Sequence, residues 1–115
     1  MNLIQTTILT EIMQTREVRR IEEDDGVVTA HLDLFDRVVI GRNGWQRWWA
    51  GKDLHRHGHP AVIPSDGDNV YYYRYGRLHR EDGPACYGDK GGPKYYLDGK
   101  KLSTRQFKAW QKAQQ

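Results

Sequence analysis

The chain has 115 residues, of which 37% are hydrophobic, and 18 basic against 15 acidic side chains give it a net charge of +3. This length fits one domain, and so mild a charge, from basic residues scattered along the chain, makes only a weak electrostatic case for nucleic acid. The single cysteine, Cys86, excludes an intramolecular disulfide. No apolar run approaches the roughly 20 residues of a membrane span, and the first residues do not resemble a signal peptide. We therefore expect a cytoplasmic protein with no membrane contact.

Residues 1–44 are predicted to form a short helix and then a meander of antiparallel strands. Apolar residues recur at helical spacing between residues 2 and 15, which favours the helix, while the threonines of this segment favour a strand. The predicted strands cover residues 17–22, 27–35 and 37–40, with turn signals at Asp24-Asp25-Gly26 and Arg42-Asn43-Gly44. Because alternate strand residues share a face, Val28, Ala30, Leu32 and Leu34 should be buried together.

The segment 45–102 repeats itself with a spacing of 24 residues. Its copies are Trp48-Trp49-Ala50-Gly51-Lys52-Asp53-Leu54-His55-Arg56 before Pro60-Ala61, Tyr72-Tyr73-Arg74-Tyr75-Gly76-Arg77-Leu78-His79-Arg80 before Pro84-Ala85, and a truncated Tyr96-Leu97-Asp98-Gly99-Lys100-Lys101-Leu102. A fixed period in this range is typical of stacked repeats, which build binding surfaces more often than pockets for chemistry. We expect tandem 24-residue β-hairpin repeats in one twisted sheet.

The C-terminal residues 103–115 predict a helix. Ser103 and Gln106 fit a capping box, and Leu102 and Phe107 fit the hydrophobic staple that accompanies it. The fold class predicted for residues 1–115 is therefore a single α+β domain, mostly antiparallel β, with a short C-terminal helix packed on the sheet.

The second copy resembles a known repeat. The phrase Leu78-His79-Arg80-Glu81-Asp82-Gly83-Pro84-Ala85, after Tyr72-Tyr73-Arg74-Tyr75-Gly76, is similar to repeats in small proteins of bacteriophages and other mobile elements. It is also distantly similar to MORN repeats and to the MORN-variant repeats of YwqK-like antitoxins. The first copy departs from the pattern, since His57-Gly58-His59 stands where Glu81-Asp82-Gly83 stands in the second. The resemblance implies a ladder of hairpins and, more loosely, a binding scaffold.

Alignment of the copies at 24 residues gives two columns of large side chains. The column of Trp49, Tyr73 and Leu97 is expected to be core. The column of Trp48, Tyr72 and Tyr96 is flanked by Arg74 and Asp98 and is expected to be half exposed. Because exposed aromatic and arginine side chains make interface hot spots, the predicted partner-binding residues are Trp48, Tyr72, Arg74 and Tyr96. The alternative is that both columns are buried.

Three alternating histidines, His55, His57 and His59, would share one face of an extended strand and could converge on a metal. The fourth ligand is missing, and His55 recurs as His79, which favours a structural role such as a bond to a backbone carbonyl. No metal or other cofactor is therefore expected.

Two further segments favour structural roles. The residues Arg80-Glu81-Asp82-Gly83 predict a turn in which Asp82 accepts from local backbone amides. Cys86 aligns with the apolar Val62, so a buried, inert thiol is expected. No catalytic constellation is apparent, and an enzyme is not expected.

The sequence thus predicts a non-enzymatic protein-binding module. The resemblance implies a phage or mobile-element origin and a role as an anti-defence, anti-CRISPR-like inhibitor that occludes a host protein, or as an antitoxin. Two alternatives stay open: a nucleic-acid-binding accessory protein that uses aromatics interleaved with arginine, and a metal-dependent enzyme that uses the three histidines. An exposed sheet edge would also allow a homodimer.

Overall fold

The computed structural model of the chain describes residues 1–88 and 91–115, which form mostly antiparallel strands and two helices. The elements are α1 (Leu3–Thr15), β1 (Arg20–Asp24), β2 (Val27–His31), β3 (Asp36–Ile40), β4 (Gln46–Ala50), β5 (Asp53–Leu54), β6 (Val62–Ile63), β7 (Tyr73–Arg74), β8 (Arg77–Leu78), β9 (Cys86–Tyr87), β10 (Pro93–Leu97), β11 (Lys100–Leu102) and α2 (Thr104–Ala113). The predicted α+β class is confirmed. Neither helix within the described ranges has the length and apolarity that crossing a membrane requires.

The described strands fall into three sheets rather than the single twisted sheet expected. Six strands form the largest, in the order β1-β2-β3-β4-β5 with β6 also paired to β4, while β11-β10-β9 and β7-β8 form the other two. The repeated segment contributes several strands of two residues. Strands so short make few ladder bonds, and the proline corners at Pro60 and Pro84 supply no amide hydrogen to extend them.

A buried glutamine forms hydrogen bonds that link helix α1 to the large sheet. The Gln5 side chain donates from Nε2 to the carbonyls of Gly26 (2.7 Å) and Ile40 (3.2 Å), and Oε1 accepts from the backbone of Asn2 (3.0 Å). Asn2 in turn caps the helix, which begins where the apolar spacing predicts it. The side chains that α1, the sheet and its neighbouring loop bury together are Leu9, Ile12, Val28, Ala30, Leu32, Val38, Ile40, Trp48 and Ala61.

The predicted burial of Leu34 is wrong. The side chain of Asp33 accepts from the backbone amides of Phe35 and Asp36, both at 2.8 Å. This local turn ends β2 at His31, because it offers the backbone a competing set of bonds. Leu34 consequently sits on a bend and is 86% exposed.

Helix α2 packs on the last sheet through its aromatic face, as predicted. Ser103 and Gln106 form the expected capping box. Phe107 is almost fully buried and stacks on Tyr95, with ring centroids 4.6 Å apart. Cys86 is also buried, as expected, and burial raises the pKa of its thiol.

Candidate functional site

The hairpins β4-β5, β7-β8 and β10-β11 are joined by contacts that recur along the chain. The amide of Gly76 donates to the carbonyl of Leu54, and the amide of Gly99 donates to the carbonyl of Leu78, both at 2.8 Å. The turns of the second and third hairpins are therefore each hydrogen-bonded to the short second strand of the preceding hairpin. One cleft lies between the segments that follow the first two hairpins, and a second lies between the first of these segments and the end of α1. Together they include most of the site residues predicted from the sequence.

The third hairpin is displaced by one residue from the predicted alignment. The equivalent bonds run from Arg56 N to Tyr73 O (3.3 Å) and from Arg80 N to Tyr96 O (3.2 Å). Tyr96 therefore takes the place of Tyr73, at a spacing of 23 residues, and Tyr95 takes the place of Tyr72. A shift of one residue moves a side chain to the other face of a strand, so the prediction that Tyr96 shares a column with Trp48 and Tyr72 is wrong.

The prediction that Trp48 is half exposed is also wrong, because its side chain is 3% exposed and belongs to the main core. Its backbone amide donates to Ala61 (2.7 Å) and its carbonyl accepts from His55 (2.9 Å). The guanidinium of Arg56 lies 3.7 Å from the centroid of its indole ring. A residue enclosed in this way offers no surface to a partner.

Tyr72, Arg74 and Tyr96 are half-buried. The guanidinium of Arg80 lies 4.1 Å from the ring centroid of Tyr72. Arg74 contacts the carboxylates of Asp98 (2.6 Å) and Glu81 (3.5 Å), and the hydrogen bond from Arg74 lowers the pKa of Asp98. The predicted role of these three residues in partner binding stays a prediction.

His55 and His79 connect successive hairpins through backbone amides. Nδ1 of His55 accepts from the amide of Tyr75 (3.0 Å), and Nδ1 of His79 accepts from the amide of Asp98 (2.9 Å). The predicted bond to a carbonyl is therefore replaced by one to an amide, which requires an unprotonated Nδ1. The ring of His55 also stacks on Tyr75 at 4.0 Å, and desolvation lowers the pKa of His55.

The three alternating histidines do not converge. His57 and His59 are exposed, while Nδ1 of His55 already accepts a hydrogen bond. Within residues 1–88 and 91–115, no group of three or more His, Cys, Asp or Glu side chains is placed to hold a metal ion.

Two arginines occupy equivalent places, but a carboxylate accompanies only one of them among the described residues. Arg80 donates from Nε to Asp82 (2.8 Å) and from Nη1 to the carbonyl of Pro84 (3.1 Å). The predicted bonds from backbone amides to Asp82 are thus replaced by a bond from the arginine. Arg56 donates from Nη1 to the carbonyl of Pro60 (3.3 Å), but no carboxylate of the described residues lies within 4.0 Å of it. Desolvation lowers the pKa of Arg56 to about 10.

Arg56 opens onto a cleft of about 400 Å³ beside the end of α1. The residues that line it are Thr15, Arg16, Leu32, Asp36, Trp48, Trp49, His55, Arg56, His57 and His59. A second cleft of about 320 Å³ lies between Arg56 and Arg80 and includes Tyr72, Arg74 and His79. Three residues, His55, Arg56 and His57, line both clefts.

An exposed apolar tip, Leu34 and Phe35, lies on the bend between β2 and β3. Leu34 is 86% exposed and Phe35 is 71% exposed. The carbonyl of Phe35 accepts from the amide of Gly51 (2.8 Å), so the tip adjoins the first hairpin turn. The alternation of apolar residues led to the prediction that Leu34 is buried. The sequence signal for the bend was Asp33, because aspartate is a residue type that begins such a turn.

A comparison of this chain with protein-family models, with curated proteins and with solved structures finds no match. Its similarity to mobile-element and MORN-type repeats therefore stays a prediction.

Proposed function

We propose that this chain is a non-enzymatic protein-binding module whose contact surface centres on the apolar tip, Leu34 and Phe35. The observation that carries the proposal is the exposure of these two large side chains on a bend that the fold holds in place. Neither side chain contributes to the main core. Exposed apolar groups that the core does not use are the ones that partner surfaces cover, and aromatic residues are enriched at the centres of interfaces.

Hydrogen bonds within residues 32–36 hold the bend in one conformation. The amides of Leu32 (2.9 Å) and Asp33 (3.3 Å) donate to the carbonyl of Asp36, and the side chain of Asp33 accepts from Phe35 and Asp36. These backbone hydrogen bonds hold the pKa of Asp33 below its usual range. A tip that is already ordered loses little conformational entropy when it binds, so more of its burial appears as affinity.

The nucleic-acid alternative has less support from the arrangement of charge. Arg42 pairs with Asp25 (2.9 Å), Arg74 with Asp98, and Arg80 with Asp82. Carboxylates thus neutralise several of the arginines that would contact phosphates. The narrower predictions, a host protein as partner and a phage-encoded inhibitor as role, rest on the resemblance alone and stay predictions.

The test is a capture experiment with three tagged baits in nuclease-treated bacterial lysate. The baits are the wild type, the double variant Leu34→Ser with Phe35→Ser, and the control Met13→Ser, which changes an apolar side chain that is 55% exposed on α1. We expect one stoichiometric protein on the wild type and the control. Removing two apolar anchors should weaken its binding by tenfold or more, since each anchor contributes about 1–3 kcal/mol.

Circular dichroism of all three baits would establish that they remain folded. The proposal is wrong if the double variant captures the same partner as strongly as the wild type. No captured protein in the nuclease-treated lysate, together with nucleic acid recovered from untreated lysate at an affinity that falls steeply with salt, would favour the nucleic-acid alternative.

A further inference from the structure

The first two copies of the repeated phrase differ in what accompanies one arginine. Arg56 and Arg80 each stack on an aromatic ring and each donate from Nη1 to the carbonyl four residues ahead. Asp82, two residues after Arg80, adds a carboxylate 2.8 Å from its Nε. Two residues after Arg56 stands Gly58, which has no side chain to offer.

We propose that the cleft between α1 and the segment 55–59 binds an oxyanion, which occupies beside Arg56 the place that Asp82 occupies beside Arg80. The Asp82 carboxylate shows how such a group meets an arginine in this setting. Arg56 presents a planar set of donors suited to carboxylate and phosphate oxygens. This inference goes beyond the proposed protein-binding role and does not depend on the apolar tip.

Contacts with the rest of the protein hold Arg56 in position. Its guanidinium is held against the buried ring of Trp48 at 3.7 Å and by the bond to Pro60. Stacking of this kind leaves the edge of the guanidinium free to donate in its own plane. A donor that is fixed in advance loses little entropy when the anion arrives.

The charges around the cleft favour an anion. Arg16 and Arg56 both line it, together with His57 and His59, which the second copy replaces by Glu81 and Gly83. Asp36 is the acidic residue among the lining side chains, and its nearest approach to Arg16 is 4.0 Å. Two arginines therefore line the cleft against one carboxylate. The volume of about 400 Å³ falls within the range of small-ligand sites.

The test is a titration of the full chain with sodium phosphate, followed by NMR of the arginine Nε–Hε groups and the backbone amides. Sodium acetate is the second probe, because carboxylates and phosphates share the same oxyanion chemistry, and sodium chloride at equal ionic strength is the control. We expect saturable shifts at Arg56 and at residues 55–59 with phosphate, acetate or both. Whichever probe binds more tightly identifies the source of the oxyanion.

A pair of glycine variants makes the test specific. Gly58→Asp restores a carboxylate two residues after Arg56, while Gly67→Asp adds the same charge outside the cleft. The two glycines have similar φ angles (73° and 75°), and a Cβ at either would meet nothing within 4 Å, so backbone strain and charge are matched. We expect Gly58→Asp to weaken anion binding at least tenfold and Gly67→Asp to leave it within twofold of wild type.

A further variant tests the inference at a second position, which keeps it testable if Gly58→Asp does not fold. His57→Glu introduces an acid where the second copy has Glu81, at a position without a positive φ, and it should also weaken binding. The inference is overturned if chloride reproduces the phosphate and acetate shifts, or if Gly58→Asp and Gly67→Asp bind the anion equally well.

Discussion

The first and second copies of the repeated phrase place an arginine over an aromatic ring in the same way, yet the two stacks lie in different surroundings. Trp48 is enclosed by the main core, and Arg56 covers its remaining side. Tyr72 is half-buried, and Arg80 above it is paired with Asp82. One phrase therefore serves as a core element in one copy and as part of the surface in the other.

The difference arises from what packs on each copy. β4 pairs with β3, β5 and β6 and shares its core with α1. β7 pairs with β8 in a two-stranded sheet, and its Tyr73 is partly buried against the main core without belonging to it. Position within a repeat thus predicts the local contacts of a side chain but not its burial, which depends on neighbours from outside the repeat.

The largest expected effect is on stability. Trp48→Ala should cost about 3–5 kcal/mol of the free energy of unfolding, as buried tryptophans do, whereas Tyr72→Ala should cost roughly half as much because less of its ring leaves water. Urea denaturation followed by circular dichroism would measure both. Equal losses in the two variants would contradict the contrast between a buried and a half-buried stack.

A smaller effect concerns pH at the junction between the two copies. Burial lowers the pKa of folded His55 below its ordinary value of 6.5, so on acidification the unfolded chain takes up this proton before the folded chain does. The contribution of neutral His55 to the free energy of unfolding is complete above pH 6.5. It is lost as the pH falls from there through the lowered pKa of the folded protein. Wild-type stability should therefore decline more steeply than that of His55→Gln on acidification.

Thermal denaturation of both proteins between pH 7.5 and pH 5 would measure the two slopes. The other titrating groups are common to both proteins, so the difference between the curves isolates His55. Parallel curves would show that His55 carries no such linkage.

The smallest effect on stability is expected when the carboxylate beside Arg80 is removed, which makes Arg80 resemble Arg56. Asp82 is 84% exposed at its side chain, so Asp82→Asn should change the free energy of unfolding by less than about 0.5 kcal/mol. The same variant should make Arg80 respond to phosphate, although more weakly than Arg56, because Glu81 stays nearby. NMR titration of Arg80 Nε–Hε would measure this, and an unchanged signal would indicate that counterion loss alone does not create an anion site.

The helix starts and hairpin turns could be predicted because their causes are local. The Ser103–Gln106 capping box binds within one helical turn, and the glycines at the hairpin turns adopt the positive φ angles that such turns require. Both depend on residues close together in the chain, so a short sequence motif includes all the residues that interact.

The candidate site was predicted less well because two interruptions of the regular pattern were overlooked. The repeated spacing placed Tyr96 beside Tyr72, but one residue fewer before the third hairpin moved it into the place of Tyr73. Periodicity likewise buried Leu34, although the side chain of Asp33 turns the chain outward one residue earlier. Each error came from extending a regular pattern past a point where a hydrogen bond or a missing residue interrupts it.

The sequence by itself determined the α+β class, the turns and the contrast between His57-Gly58-His59 and Glu81-Asp82-Gly83, because these follow from residue types and short-range bonds. Only the tertiary structure decided that Trp48 is core and that Arg56 has no carboxylate of the described residues within 4.0 Å. These properties depend on how α1 and the six-stranded sheet cover the first copy and leave the second open. Burial and charge pairing are set by all the elements that meet at a point, which spacing along the chain does not encode.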